Sequence, residues 1–328
     1  MRLHLAQAFS NRAPRRRKHD FKDAEQLVRR LIANELILSF VPGGEQRIWP
    51  SMTRMKLQLT RDRVRLQNQI ECLLEEMRIK LSIVVSNLLG ASGLRILHAL
   101  ANGETDPKKL AQLGGERLQC SEEQLVDALT GRAQRVHGEM LALQLQRLQL
   151  IDPQMDQLNS MIAAAMKPQQ DAVIRLAEVP GLGVDSAQQI IAEVGAQAST
   201  FPAAAELTSW VGTCSGKEES AEQNHSSRSA KGNKYLRRVL NQAAHAAVAK
   251  KGSHFQVVFR HLLPRLGYQS AIWAIAHRLC RLAWKILHEG VRFIEQGTEV
   301  GPREKKKRAQ MLAQRRSIFQ KDLPVNMA

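Results

Sequence analysis

The segment VPGLGVDSAQQIIAEVG, residues 179–195, places a glycine-rich turn between two helical stretches. The first helix is expected to end near Glu178 and the second to begin near Val184. Gly181 and Gly183 permit a tight hairpin whose free N–H groups point outward at the start of the second helix. Such donors and the helix dipole bind phosphate. The segment therefore predicts a helix-hairpin-helix-like motif that contacts the DNA backbone, with an ordinary glycine-capped helix connection as the alternative.

The composition predicts a mainly α protein. Aromatic residues make up only 4% of the 328 residues, which is low for a sandwich or barrel that wants them in its strands. Ala, Leu, Gln, Arg and Glu dominate instead, and all of them are good helix formers. Hydrophobic residues reach 44%, which excludes wholesale disorder. The length suggests two or three domains.

Four stretches of the chain differ in texture, and we predict a domain organisation from them. Residues 1–50 contain a basic run, an amphipathic helix and a short extended piece, ILSFVPGG. Residues 51–168 are long helices, and residues 169–300 are a more varied helical region with a Ser-rich loop. Residues 301–328 form a basic tail, for which a phosphate-binding role and a solvated role are both open.

The second stretch contains an apolar seam of the coiled-coil kind. Its apolar residues recur every three or four positions at Leu141, Leu145, Leu148, Ile151, Met155, Leu158 and Ile162. Pro153 should kink the helix or restart it. An intramolecular helical hairpin and a dimer interface both explain the seam. Ser121 and Gln124 form a capping-box pattern that predicts the start of another helix.

The charge balance indicates a polyanionic partner. The net charge is +17 and the isoelectric point is near 10.2, an excess that repels itself in a compact fold. No run reaches the roughly 18 apolar residues that a membrane-spanning helix needs, so nucleic acid is favoured over a membrane. The four cysteines show no C-x-x-C spacing, which fits free thiols in a reducing compartment. We expect a cytoplasmic, nucleoid-associated protein.

A basic helix start lies in SRSAKGNKYLRRVL, residues 227–240. Gly232 and Asn233 make a turn, and Leu236, Val239 and Leu240 should pack inward. Basic residues at a helix start suit phosphate contacts, whereas a solvated basic face is the alternative. The candidate nucleic-acid-binding residues of this segment are Arg228, Lys231, Lys234, Arg237 and Arg238.

Three further polar residues could carry chemistry. Asp20 and Asp23 are three residues apart on a helix, so both carboxylates project from one face and could supply two ligands to Mg²⁺. Acids that cap a first turn and suit its dipole are the alternative. Ser220 lies in the loop KEESAEQNHSSRS, where a serine without an activating base or metal is ordinary polar surface.

Taken in order, these segments resemble the IS-one-ten (DEDD) family of insertion-sequence transposases. The resemblance runs from about Leu3 to Gly297. It rests on RKHDFKDAEQL, FVPGG, RVRLQNQIECLLEEMRIKLSIVVSNLLGASG, VPGLGVDSAQQIIAEVG, TFPAAAELTSWVGTCSGKEESA and SAKGNKYLRRVLNQAAHAA.

The resemblance implies a fold and a reaction. Such proteins have an N-terminal α/β domain of the RNase-H or RuvC type and a helical C-terminal transposase domain. Asp20 and Asp23 match the last two of four acids that hold Mg²⁺, and Ser220 matches a serine that attacks DNA and holds it covalently. The implied reaction cuts and rejoins element ends and target DNA. A guide RNA from the element and a homo-oligomeric assembly are also implied.

The chain departs from the family pattern in two places. The other two acids would lie upstream of Met1, so we expect an N-terminally shortened chain that retains a remnant of the RuvC-like domain. After Ser220 the chain carries Glu222, Gln223, Asn224 and His225 instead of a small residue and basic side chains, and an added carboxylate repels a phosphate substrate. A catalytically inactive nucleic-acid-binding remnant is therefore the alternative to an active transposase.

Overall fold

The structure, a computed structural model, is mainly helical, which confirms the predicted class. Thirteen α-helices occur within the described residues, and these divide into two compact units, Met1–Pro168 and Gln169–Ala328. The predicted basic tail, residues 301–328, lies outside the described part. The residues that the structure describes are 5–6, 11, 20–115, 118–214, 219–220, 223–224, 229 and 231–294.

The first unit is organised around two long antiparallel helices, the second and the seventh. The N–H of Arg132, just before the seventh, donates to the carbonyl of Met77, just after the second, at 2.8 Å. Arg63, which precedes Met77 by 14 residues in the second helix, donates from Nε to Oδ1 of Asp152, which follows Arg132 by 20 residues in the seventh, at 2.8 Å. The helices are α1 (Asp20–Ile32), α2 (Gly44–Glu76), α3 (Leu81–Val84), α4 (Ala91–Ala101), α5 (Pro107–Gln112), α6 (Glu122–Leu129) and α7 (Arg135–Ala165).

The seam of α7 is buried within its own unit. Five of its seven positions are buried, and Ile151 and Met155 are half-buried. Leu141, Leu145 and Leu148 share one buried cluster with residues of α2, so the intramolecular hairpin accounts for this part of the seam. The helix continues through Pro153 and does not restart there. The buried seam residues are Leu141, Leu145, Leu148, Leu158 and Ile162.

The predicted capping box at the start of α6 is confirmed. The N–H of Gln124 donates to the Ser121 hydroxyl at 3.2 Å, and the N–H of Ser121 donates to Gln124 Oε1 at 3.0 Å. Two N–H groups that the helix cannot satisfy internally thereby gain partners.

We expect Ser121→Ala to lower the free energy of unfolding by about 1 kcal/mol, because it removes this cap. Urea unfolding followed by far-ultraviolet circular dichroism measures the change. Ser160→Ala is the matched control, since that hydroxyl bonds to the carbonyl of Asp156 in mid-helix and alanine is the better helix former. Equal losses in the two variants would contradict a capping role.

The N-terminal part of the first unit confirms the predicted helix and extended piece. Leu38 forms an antiparallel bridge with Ala6. The next helix, α2, begins at Gly44 and contains Pro50 in its second turn. No residue of α1 is buried, so Phe21 and Ile32 expose their apolar side chains. The predicted α/β remnant stays a prediction.

The second unit packs around its last helix. That helix contacts four others of the unit, and alanines at positions 243, 247, 276 and 283 are buried, which lets the backbones approach closely. The elements are α8 (Gln170–Ala177), α9 (Val184–Val194), α10 (Ala204–Val211), β1 (Glu219–Ser220), β2 (Gln223–Asn224), α11 (Lys234–Ala249), α12 (His254–Leu266) and α13 (Tyr268–Glu289).

Candidate nucleic-acid interface

The start of α11 is built by a glycine and an asparagine. The Asn233 side-chain oxygen accepts from the N–H groups of Tyr235 at 2.9 Å and Leu236 at 3.1 Å, which caps the helix. Its amide nitrogen donates to Glu193 at the end of α9 at 2.7 Å. A Cβ on Gly232 would lie 2.1 Å from the carbonyl oxygen of Val211. The turn predicted here therefore ties α11 to both α9 and α10.

Among the described residues, four basic side chains lie at or near the start of α11. Lys231 and Lys234 are exposed, while Arg237 and Arg238 are half-buried. Positive side chains in the first turns of a helix oppose its dipole, so this arrangement is unfavourable until an anion compensates it. Because these cations destabilise the helix on their own, their position favours the binding of a phosphate group.

The guanidinium of Arg237 has three partners among the described residues of its own unit. It donates to the carbonyl of Gly212 and to the hydroxyl of Ser229 at 3.0 Å, and it lies 4.6 Å from the ring centre of Trp273. Gly212 and Ser229 flank the Ser-rich loop in sequence. Arg237 therefore holds the two ends of the loop against α13, which favours a positioning role.

The structure places Ser220 on a small antiparallel hairpin. Glu219 pairs with Asn224 and Ser220 pairs with Gln223, so Ser220 is the last strand residue before the turn. The predicted contact residue Arg228 lies outside the described residues.

The first residues of the loop are fixed by polar contacts. The Thr213 hydroxyl donates to the carbonyl of Thr208 at 3.2 Å, and the thiol of Cys214 lies 3.4 Å from the Thr208 hydroxyl. Burial raises the pKa of the nearby Cys280 thiol to about 12, with Cys214 adding to the rise and Thr213 opposing it. Cys280 therefore stays protonated and is no nucleophile.

The glycines of the hairpin between α8 and α9 have separate roles. Gly181 has φ +88, and a Cβ there would lie 2.2 Å from the carbonyl oxygen of Ala243 on α11, so it is a packing residue. Gly183 is exposed and precedes α9. The first turn of α9 carries Asp185, whose carboxylate suits the dipole and disfavours a phosphate. Contact of this hairpin with DNA stays a prediction.

Asp20 and Asp23 lie in the first turn of α1, with Asp20 exposed and Asp23 half-buried. In the part of the chain that the structure describes, no group of three His, Cys, Asp or Glu side chains could hold a metal ion. Two carboxylates fit a weakly held Mg²⁺ whose remaining ligands are water and phosphate. They do not form a complete metal site, and the magnesium prediction rests on the pair alone.

Sequence reasoning missed the cations of α13. Arg278 and Arg281 are exposed and neighbour His277, whose pKa they help to lower. A simple signal was available, since no Asp or Glu occurs between Glu222 and Glu289. All three helices α11, α12 and α13 therefore carry cations without a carboxylate among them until Glu289, the last residue of α13.

Within the described residues, no helix combines the length and the hydrophobicity that a membrane span requires.

Comparison with known proteins points to the same segment. No curated protein matches the chain significantly. Residues 174–259, about a quarter of the chain, match the sequence model described as the Transposase IS116/IS110/IS902 family. The matched range holds the α8–α9 hairpin, the Ser220 loop and α11. Over this segment the chain is similar to the IS116/IS110/IS902 transposase family, which supports the resemblance found in the sequence.

Proposed function

We propose that the chain is a DNA transposase that binds the DNA backbone through α11–α13 and exchanges strands by nucleophilic attack of Ser220. The observation that carries the binding proposal is the acid-free stretch between Glu222 and Glu289. It forms three packed helices whose Lys and Arg side chains include those at the start of α11. Such a surface gains affinity by releasing the counterions condensed on DNA, without reading the base sequence.

The loop between Thr213 and Ser229 supports the chemical proposal. Its anchors are Thr213, bonded to Thr208, and Ser229, bonded to Arg237, while Ser220 stands at the turn of the hairpin. In the proposed step the Ser220 oxygen forms a bond to phosphorus and loses its proton, and the deoxyribose hydroxyl leaves. Attack of another strand's hydroxyl on the phosphoserine bond then releases the serine. Loss of a covalent adduct in Ser220→Ala tests this step.

Asp20 and Asp23 are the proposed ligands of Mg²⁺. When bound, the ion neutralises charge that develops on a phosphate during transfer. The carboxylates would bind and orient the ion. A guide RNA from the element and a homo-oligomeric assembly remain predictions from the family resemblance.

A double variant, Lys231→Gln with Lys234→Gln, tests the DNA-binding surface. We expect weaker binding to a short duplex and a salt slope, log Kd against log salt concentration, that falls by about 1 for each phosphate that the variant no longer binds. Fluorescence anisotropy over a series of salt concentrations measures both quantities. The control is Lys109→Gln, because Lys109 lies in the first unit 3.5 Å from the carboxylate of Glu104. A salt slope equal in the double variant and the parent would exclude these lysines from the interface.

A second candidate function is DNA binding without cleavage. Glu219 and Glu222 flank Ser220, and their carboxylates repel a phosphodiester. This candidate gives the same salt-dependent binding and no covalent adduct, so the two experiments together separate the candidates.

A further inference from the structure

One face of α13 near the two ends of the Ser220 loop carries nitrogen-bearing side chains. Trp273, His277 and Arg281 follow at intervals of four residues, which places them on one face of the helix. Arg278 comes directly after His277. Both ends of the loop reach this face, because the Thr213 backbone interacts with His277 and Arg237, which holds Ser229, lies over the Trp273 ring. We call this region the loop foot.

The loop foot carries positive charge that the described residues do not balance. Neither Arg278 nor Arg281 forms an ion pair with a carboxylate in that part of the chain. Burial and the guanidiniums of Arg281 and Arg278 hold the pKa of His277 below its ordinary value, while the Thr213 backbone raises it. The neighbouring guanidiniums disfavour a further positive charge on His277, so the arrangement suits an anion.

Two buried nitrogen atoms of the loop foot have no hydrogen-bond partner in the described part of the chain, although the His277 ring also interacts with the Thr213 backbone. Nε1 of Trp273 and Nδ1 of His277 are buried without a hydrogen-bond partner among the described residues. A buried polar atom left without a partner costs about 1–3 kcal/mol, and such atoms are rare in folded proteins. The indole N–H can only donate, so an acceptor oxygen would satisfy it. A phosphate oxygen would accept a hydrogen bond from the indole N–H of Trp273 and balance the charge of the two guanidiniums.

We propose that the loop foot is an anion site that takes one phosphodiester group of DNA, held by Arg278, Arg281 and the indole N–H of Trp273. The inference rests on the proposed function and adds to it a backbone phosphate bound near the two ends of the loop that carries Ser220. A phosphate fixed there would set which neighbouring phosphodiester Ser220 can reach. The site needs no base contact, so it adds position without sequence preference.

The test follows the indole N–H signal of Trp273 by nitrogen-15 NMR, with Trp273→Phe to assign it. On adding a short DNA duplex we expect this signal to move downfield, and a duplex with neutral methylphosphonate linkages should leave it in place. Arg281→Gln should abolish the movement, weaken duplex binding about fivefold and lower the salt slope by about 1. Lys285→Gln is the matched control, because Lys285 lies on the same helix 3.9 Å from the carboxylate of Glu289.

The outcomes separate this inference from the proposed function. Duplex binding with a steep salt slope, an unmoved Trp273 signal and an unchanged Kd in Arg281→Gln would overturn the anion site and leave DNA binding intact. Absence of duplex binding in the parent protein would overturn both. A Trp273 signal that moves equally with the methylphosphonate duplex would show contact without anion recognition and would also overturn the site. Unchanged indole signals of Trp210 and Trp284 show that the variant is folded.

Discussion

Ser220→Ala is expected to abolish the covalent protein–DNA adduct completely while leaving DNA affinity close to that of the parent. Alanine has no oxygen to bond to phosphorus, so no intermediate forms. The binding cations lie on α11 and α13, and the substitution removes no charge. The measurement uses labelled duplexes with the sequences that flank the element, incubated with Mg²⁺, and denaturing gels that retain only covalently joined DNA.

Ser227→Ala is the control for this experiment, since it removes another hydroxyl of the same loop. Digestion of the adduct with nuclease and protease followed by mass analysis should place the added nucleotide mass on the peptide that contains Ser220. An adduct of equal yield in Ser220→Ala, or one that maps to another residue, would exclude Ser220 as the nucleophile. An adduct absent from the parent protein, with DNA binding retained, would favour the non-cleaving candidate.

Local patterns predicted much of the helical fold. The capping box of Ser121 and Gln124 and the apolar seam of α7 both depend on residues close together in sequence. The sequence left open whether a dimer partner covers the seam. The answer depends on α2, which is distant from α7 in sequence: Arg63 and Asp152, which form an ion pair between the two helices, are 89 residues apart. Pro153 was expected to kink the helix or restart it, and the helix continues through Pro153 without a restart.

The candidate site was harder to predict, because its residues come together only through tertiary packing. Arg237 resembles a surface cation in sequence, yet it bonds to Gly212 across 25 residues. The loop foot joins Thr213 to His277 on α13, a pairing that no local motif encodes. The absence of carboxylates between Glu222 and Glu289 could have shown that α13 shares the positive charge of α11.

Gly181→Ala is expected to lower the free energy of unfolding by about 3 kcal/mol. A side chain at φ +88 costs about 1–2 kcal/mol, and forcing packed backbone apart adds about 1–3 kcal/mol. The added Cβ would lie 2.2 Å from the carbonyl oxygen of Ala243 and 2.9 Å from the Cβ of Ala247, so α11 must move. Urea unfolding followed by circular dichroism measures the loss.

Gly183→Ala is the matched control two residues away. Its φ is −106 and a Cβ there meets nothing within 4 Å, so we expect a loss below about 1 kcal/mol, the size of a helix-cap effect. The pair also separates the two interpretations of this hairpin. If Gly181 serves to bring the hairpin N–H groups to DNA, Gly181→Ala weakens DNA binding at unchanged stability. If Gly181 serves to pack the hairpin against α11, Gly181→Ala lowers the free energy of unfolding. DNA binding then weakens only to the extent that the start of α11 is displaced.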